Sequence, residues 1–144
     1  MISHSLEDTQ KIANDFINDL FHRGETSMAT VVGLYGNLGA GKTSFTQCIA
    51  KALGVGEKVL SPTFVIEKIY EIRDKRYDHL IHIDAYRIES SDELVHLGWK
   101  EIVSNPKNLV LIEWPERVAD IMPSHIQICF KVLPGEESRE IEVI

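Results

Sequence analysis

The sequence has little cysteine and no long apolar run, and each shortage excludes a class of protein. Its 144 residues include only two cysteines, Cys48 and Cys129. Neither lies in a CxxC or metal-finger pattern, so neither a disulfide framework nor a thiolate metal site is expected. No apolar stretch is long enough to span a bilayer, and the first ten residues are polar and acidic, unlike a secretory leader. We therefore expect a cytoplasmic protein with buried, reduced thiols and no membrane partner.

Basic residues are also in the minority. Lys and Arg number 15 against 22 Asp and Glu, which gives a formal net charge of -7. This charge repels a phosphodiester backbone, so the composition disfavours unaided binding of nucleic acid. The hydrophobic fraction of 44% is typical of globular proteins, and a chain of this length has room for one core. We expect a single domain over residues 1–144.

The pattern of apolar residues predicts an alternation of helices and strands. Helices are expected over residues 5–24, 42–54 and 90–98, the last opened by a capping box of Ser90 and Glu93. Strands are expected at 28–35, 64–72, 77–84, 108–113, 126–132 and 140–144. The short polar turn at 73–76 predicts an antiparallel hairpin, and the last two strands are expected to pair. The fold class is therefore α/β, with a mixed central sheet flanked by helices.

The segment from Gly36 to Thr43 has the sequence of a phosphate-binding loop. Its residues fit G-x-x-x-x-G-K-[ST] without exception: Gly36, Asn37, Leu38, Gly39, Ala40, Gly41, Lys42 and Thr43. The glycines allow positive φ angles and a close approach of backbone N–H groups to phosphate oxygens. Lys42 is expected to reach the β and γ phosphates, and the Thr43 hydroxyl to reach magnesium. The expected strand before the loop and helix after it argue against a chance match. We predict a P-loop NTPase domain that binds a nucleoside triphosphate with magnesium.

Two carboxylates at the ends of apolar strands are candidates for the metal site. Asp84 ends the strand at 77–84, and Glu113 ends the strand at 108–113. A carboxylate in this position holds magnesium or its waters, or orients the attacking water, although a charge at a strand end also occurs simply where a strand meets solvent. We predict both as catalytic residues with Lys42, and as metal ligands with Thr43. Whether Asp84 or Glu113 is the main catalytic or metal-binding carboxylate stays open.

Several other residues are candidates for a function, but each also has a purely structural interpretation. The segment 61–63 lies where many nucleotide-dependent proteins place a γ-phosphate switch, and a plain turn is an equal alternative. Arg87 and Arg117 are candidates to compensate transition-state charge, or are ordinary surface arginines. Trp114 is a candidate to stack on a ligand or partner, or belongs to the core. The six histidines show no metal-ligand spacing, and no chemistry is assigned to them.

Four blocks, in order along the chain, resemble a known family. They are Gly36 to Thr43, Ser61-Pro62-Thr63-Phe64, His82-Ile83-Asp84-Ala85-Tyr86-Arg87 and Glu113-Trp114-Pro115-Glu116-Arg117. Together they resemble the bacterial tRNA threonylcarbamoyladenosine biosynthesis ATPase family, TsaE (formerly YjeE), over essentially the whole chain. The first block is shared with very many proteins, whereas the other three together point to this family.

The resemblance implies both an activity and partners. It implies a magnesium-dependent ATPase, with ATP and Mg²⁺ as cofactors, that acts with the proteins TsaB and TsaD. Together they place a threonylcarbamoyl group on adenosine in tRNA, and TsaD performs the transfer. The tRNA would then be contacted indirectly, through the partners. Two alternatives stay open: a small-molecule kinase that uses the same loop, and a nucleotide-binding interaction module that scarcely hydrolyses ATP.

The resemblance also implies roles for individual residues. Thr43 and Glu113 would lie at the magnesium, with Asp84 nearby in a catalytic or metal-orienting role. Thr63 would belong to the switch segment, and Trp114 to a second loop that responds to the nucleotide. A weaker match suggests that Arg139, near the end of the sequence, also approaches the nucleotide.

Overall fold

The computed structural model describes residues 1–56, 66–72, 76–135 and 138–144. The segment 61–64, which includes the candidate nucleotide contact Thr63, lies outside the described residues, so that prediction stays a prediction. Only Arg76 of the expected turn at 73–76 is described.

Helices and strands alternate along the described residues. The elements are β1 (Ile2–Ser3), α1 (Leu6–His22), β2 (Thr30–Tyr35), α2 (Lys42–Ala52), β3 (Glu67–Glu71), β4 (His79–Asp84), α3 (Ser91–His96), α4 (Trp99–Ser104), β5 (Asn108–Glu113), a 3₁₀ segment (Pro115–Ile121), β6 (Ile126–Val132) and β7 (Arg139–Val143).

The described strands form one mixed sheet in the order β1-β7-β6-β2-β5-β4-β3. The four central strands, β6, β2, β5 and β4, are parallel. The outer strands are antiparallel to their neighbours, since β3 pairs with β4, β7 with β6 and β1 with β7. The predicted α/β class, the mixed sheet, the hairpin and the terminal strand pair are confirmed. Parallel pairing brings the carboxyl ends of β2, β5 and β4 to one edge of the sheet.

Both faces of the sheet are covered, so the central strands are buried. Side chains alternate along a strand, and Leu111 and Ile112 of β5 therefore point to opposite faces. Leu111 belongs to a core cluster with Phe45 of α2 and residues of α1. Ile112 belongs to a second cluster with Leu94 of α3 and Trp99 of α4. All six residues of β5 are buried, including the carboxylate Glu113 at its end.

Local capping signals are confirmed where the sequence predicts them. The Ser5 side chain accepts a hydrogen bond of 3.1 Å from the backbone N–H of Asp8 at the start of α1. At α3, Ser90 and Glu93 form both halves of a capping box. Each cap satisfies backbone donors that a helix start leaves unpaired, and so fixes where the chain turns into the helix.

Three short elements are not predicted by the sequence pattern, namely β1, α4 and the 3₁₀ segment. Gly98 ends the expected helix, but its left-handed backbone, with φ of 92°, also starts α4 at once. Only two α4 residues, Trp99 and Ile102, are buried, which is too few to produce a visible helical repeat. The two residues of β1 form a strand only because β7 pairs with them.

The two cysteines and the helices can be compared with the sequence expectations, because they lie among the described residues. Cys48 is buried, Cys129 is half-buried, and both are free thiols. Within the described ranges, no helix combines the length and the apolar character needed to cross a bilayer.

Candidate nucleotide-binding site

The glycine-rich loop connects β2 to α2 at the edge where the parallel strands end. Gly39 and Gly41 have φ angles of 77° and 102°, in the left-handed region that glycine adopts without strain. Gly41 is the residue immediately before α2, so the loop leads straight into the amino end of that helix. Backbone N–H groups at a helix start have no partner within the helix and favour an anion such as phosphate.

Gly36 begins the loop in a space that admits no side chain. Its φ is 153°, and a β-carbon added there would lie 2.8 Å from the backbone oxygen of Phe130 and 3.3 Å from the Ala40 side chain. The loop therefore packs closely against β6, and this contact fixes where the loop begins.

The substitution Gly36→Ala is expected to lower the free energy of unfolding by about 1–3 kcal/mol, because the backbone conformation and the Phe130 contact both oppose a side chain. Urea unfolding of the two proteins measures the difference. Gly24→Ala is the matched control, since a β-carbon there meets no atom within 4 Å. Equal losses at Gly36 and Gly24 would contradict the packing described for the loop.

Lys42 is buried at the first turn of α2, with 4% of its surface exposed. Its Nζ donates a hydrogen bond of 2.5 Å to the backbone oxygen of Gly36 and lies 3.7 Å from the centre of the Trp114 ring. Burial lowers the pKa of Lys42, while the nearby carboxylates Glu113, Glu116 and Asp84 act in the opposite direction. A cation in such surroundings interacts more strongly with an incoming anion than it would in water.

Glu113 is held by hydrogen bonds from two different elements. The Thr43 hydroxyl of α2 lies 3.1 Å from Oε1 and 3.3 Å from Oε2. The His82 Nε2 of β4 lies 2.6 Å from Oε2. Since an ionised carboxylate only accepts hydrogen bonds, both Thr43 and His82 donate to it. Glu113 is buried, with 3% of its surface exposed, so these two contacts set the position of its carboxylate inside the site.

His82 is a site residue that the sequence reasoning misses. The spacing of the histidines gives no metal-ligand signal, and among the described residues no group of three or more His, Cys, Asp or Glu side chains is placed to hold a metal. The signal that would find it is strand alternation. His82 and Asp84 are two residues apart on β4, and so they share the face on which Glu113 lies.

Asp84 and Glu113 lie side by side, paired in register across the parallel strands β4 and β5. Asp84 Oδ1 accepts a hydrogen bond of 3.0 Å from the backbone N–H of Tyr86. Burial raises the pKa of Asp84 and the charge of Glu113 adds to the rise, against opposing effects from the Tyr86 hydrogen bond, His82 and Lys42. The two predicted carboxylates thus meet at one place, and its raised pKa makes the Asp84 carboxylate more basic than that of an exposed aspartate, as a proton acceptor needs.

Trp114 has a backbone conformation that is unusual for a large side chain. With φ of 59° and ψ of 48°, it is the only non-glycine residue with positive φ in the described part of the chain. Its ring packs between Lys42 and Tyr86, whose ring centre lies 5.0 Å away. Strain of this kind persists only where the surroundings impose it, and it concentrates at functional sites. The half-buried indole therefore forms part of the site wall.

The site opens into a cavity of about 390 Å³. Most of the predicted residues line it, and they do so together with both ends of the chain: Ser5, Leu6, Thr9, Leu38, Gly39, Ala40, Gly41, Lys42, Thr43, Ser44, Asp84, Tyr86, Glu113, Trp114, Phe130, Arg139 and Ile141. Arg139 Nη2 donates to the backbone oxygen of Gly39 at 3.3 Å. The arginine is thus beside the loop, although its role stays a prediction.

Other candidates lie outside the cavity wall. Asn37 is exposed, and its backbone oxygen accepts a 3.1 Å hydrogen bond from the Ala40 N–H. Arg87 is exposed, and Arg117 lies against the Tyr86 ring at 5.6 Å.

The fold and the site together define the class of the protein. The mixed sheet flanked by helices makes this an α/β protein, and a loop of this sequence between a parallel strand and a helix, with carboxylates at the ends of β4 and β5, is the arrangement typical of a P-loop domain. More narrowly, the chain belongs to the TsaE family. The family model described as threonylcarbamoyl adenosine biosynthesis protein TsaE matches residues 3–141.

Individual relatives agree with this family. A tRNA threonylcarbamoyladenosine biosynthesis protein TsaE from Treponema pallidum is 35% identical over 99% of this chain and 97% of its own length. A protein of the same name from Rickettsia prowazekii is 39% identical over 74% of this chain and 72% of its own. The crystal structure of YdiB from Bacillus subtilis matches with a TM-score of 0.67 and 30% identity, covering 98% of this chain and 80% of that one.

Proposed function

We propose that this chain is a magnesium-dependent ATPase that supports the threonylcarbamoylation of adenosine in tRNA. The proposal is carried by one arrangement, the buried Lys42 at the amino end of α2 with the Thr43–Glu113 contact beside it. Lys42 and Thr43, in the first turn of α2, offer a positive charge for phosphate and a hydroxyl oxygen for a cation, and Glu113 at the end of β5 adds carboxylate oxygens. The family to which the chain belongs supplies the biosynthetic context.

The loop residues fit the triphosphate of ATP. The glycines leave the backbone N–H groups accessible, and the start of α2 adds the positive end of the helix dipole. The Lys42 ammonium donates a hydrogen bond to the Gly36 oxygen inside the same loop, and Lys42 lines the cavity. Its charge would bind the β and γ phosphates and offset the charge that develops during hydrolysis.

The oxygen ligands fit magnesium. The Thr43 hydroxyl donates a hydrogen bond to Glu113, so its oxygen lone pairs remain available to a cation. Glu113 and Asp84 add carboxylate oxygens, and magnesium in nucleotide sites is usually held by one or two carboxylates and the substrate phosphates. When bound, the ion would neutralise charge on the phosphate oxygens and polarise the bond to be broken.

Asp84 is the best placed of these groups to act on water. Its carboxylate lines the cavity, and its raised pKa makes it a stronger base than an exposed aspartate. Glu113 is fixed in position by two hydrogen-bond donors, which still leave lone pairs on its oxygens, and it is better suited to the metal. Asp84 would therefore orient the water in line with the γ phosphate, while Trp114 and Tyr86 restrict access of bulk water.

We further propose that the chain works in the cytoplasm with TsaB and TsaD, and that tRNA is reached through these partners. The net charge of -7 supports indirect contact with tRNA. Two leucines at the cavity rim, Leu6 and Leu38, are 66% and 67% exposed. Large apolar side chains so exposed beside a polar site provide a surface for a partner protein.

Hydrolysis is expected to be slow for the chain alone and at least about tenfold faster with TsaB and TsaD, because partner proteins often complete a phosphate-loop site. Steady-state release of phosphate from ATP, measured for the chain alone, for the partners alone and for the mixture, tests this. Lys42→Ala in the mixture is the control for contaminating activity. Equal rates with and without the partners would refute the partner assignment, and binding of ATP without turnover in any mixture would favour an interaction module.

A further inference from the structure

One buried residue that contacts the site, His82, has no assigned role of its own in the proposed function. His82 is fully buried, with 0% of its side chain exposed, and its Nε2 lies 2.6 Å from Glu113 Oε2. This is the shortest contact that Glu113 makes, since the Thr43 hydroxyl lies at 3.1 and 3.3 Å. A histidine at this distance restricts the carboxylate more tightly than the threonine does.

Packing alone does not explain a histidine at this position. His82 pairs in register with Leu111, and the same face of β4 carries the fully buried Leu80. Its Nδ1 is buried and has no hydrogen-bond partner among the residues that the structure describes. A leucine would fill similar space without an unpaired polar atom, which is costly in a protein core. The remaining reason for a histidine at this position is the hydrogen bond that its Nε2–H donates to Glu113.

We propose that His82 is a positioning residue that fixes the Glu113 carboxylate for magnesium, an inference that rests on the proposed ATPase function. His82 holds Oε2 from the β4 side, and Thr43 contacts the carboxylate from the α2 side. Glu113 is thereby kept in one orientation between the helix that carries the loop and the neighbouring strand. Outer groups that orient a metal-binding carboxylate in this way contribute to metal affinity without touching the metal.

The consequence of losing His82 follows from this geometry. Without it, Glu113 keeps only the longer contacts to the Thr43 hydroxyl, which can rotate. His82 does not line the cavity, so the phosphate contacts proposed for Lys42 and the loop backbone would not involve it. Removal of the His82 side chain should therefore lower magnesium affinity and kcat, with little effect on nucleotide binding in the absence of magnesium.

Two variants separate positioning from packing. His82→Leu keeps the volume and removes the donor, whereas His82→Gln keeps an amide N–H at a similar distance from the backbone. His79→Leu is the matched control, since His79 begins the same strand and is only half-buried. Calorimetric titration of ADP with and without Mg²⁺ gives the magnesium-dependent gain in affinity, and ATP turnover at varied Mg²⁺ separates the apparent KM for the ion from kcat.

We expect His82→Leu to lower the magnesium-dependent gain in ADP affinity about 10- to 100-fold, as for other groups that hydrogen-bond to a metal ligand without touching the metal. His82→Gln should recover most of that loss, and His79→Leu should match the wild type. Equal losses in the leucine and glutamine variants would overturn positioning in favour of a structural role, and an unchanged leucine variant would overturn it outright. A wild type without magnesium-dependent binding would overturn the proposed function first, and the inference with it.

A spectroscopic test needs no nucleotide. A buried imidazole N–H bonded to a carboxylate gives a proton resonance that is shifted downfield and protected from exchange with water. In ¹⁵N-labelled protein, this resonance should be present in the wild type and absent from both His82→Leu and Glu113→Ala. Its persistence in Glu113→Ala would overturn the contact on which the inference depends.

Discussion

The substitution Lys42→Ala is expected to reduce ATP turnover by about 10²–10³-fold, the cost typical of removing one group that stabilises transition-state charge. Lys42 is buried beside the loop, with its Nζ 2.5 Å from the Gly36 oxygen. Alanine retains the helix and removes only the charge and its stem. Steady-state phosphate release, with TsaB and TsaD present, measures the effect.

Lys51→Ala is the matched control for this prediction. Lys51 lies on the same helix, α2, but is exposed and outside the cavity lining. Its replacement should leave turnover within about twofold of the wild-type rate, since surface substitutions away from special features have small effects.

The thermal midpoint of Lys42→Ala should not fall, because the substitution removes a desolvated ammonium. Wild-type turnover in the Lys42→Ala variant would show that the loop is not where ATP reacts.

The second large effect is expected from Glu113→Gln, which keeps the size of the side chain and changes its hydrogen bonding. Two donors, His82 and Thr43, point at the carboxylate, but an amide has only one acceptor oxygen. If the oxygen faces His82, the amide nitrogen must donate to the Thr43 hydroxyl, which occupies a lone pair that magnesium needs. We expect turnover to fall about 10²–10³-fold through the loss of charge stabilisation.

The same substitution should also affect folding. If the amide leaves either donor without an acceptor, the free energy of unfolding should fall by about 1–3 kcal/mol, the cost of an unsatisfied buried polar group. Chemical denaturation measures this, and Glu101→Gln, on the exposed face of α4, is the control. A Glu113→Gln variant with full turnover and unchanged stability would contradict the account of the buried carboxylate.

The loop could be predicted from the sequence because its signals are local. Eight consecutive residues carry the pattern, and the flanking strand and helix have their own periodicity, so Lys42 and Thr43 needed no knowledge of the tertiary fold. The carboxylates Asp84 and Glu113 could be proposed because each ends an apolar strand. That β4 and β5 are neighbours, and that the two residues pair in register, depends on contacts far apart in sequence.

The features that could not be predicted arise from tertiary packing. The left-handed backbone of Trp114 follows from the turn between a buried strand and a 3₁₀ segment, and no residue type at that position signals it. His82 was within reach of strand alternation, but its role requires the β4–β5 register. The two residues of β1 have no pattern of their own and are ordered by pairing with β7.

The central claim is that the loop from Gly36 to Thr43 binds ATP with magnesium, and a calorimetric titration of ATP into the purified chain tests it most directly. We predict one binding site per chain, tighter with Mg²⁺ than with a chelator present, and a severe loss of affinity in Lys42→Ala. Absence of binding, or equal affinity in the wild type and Lys42→Ala, would contradict the claim.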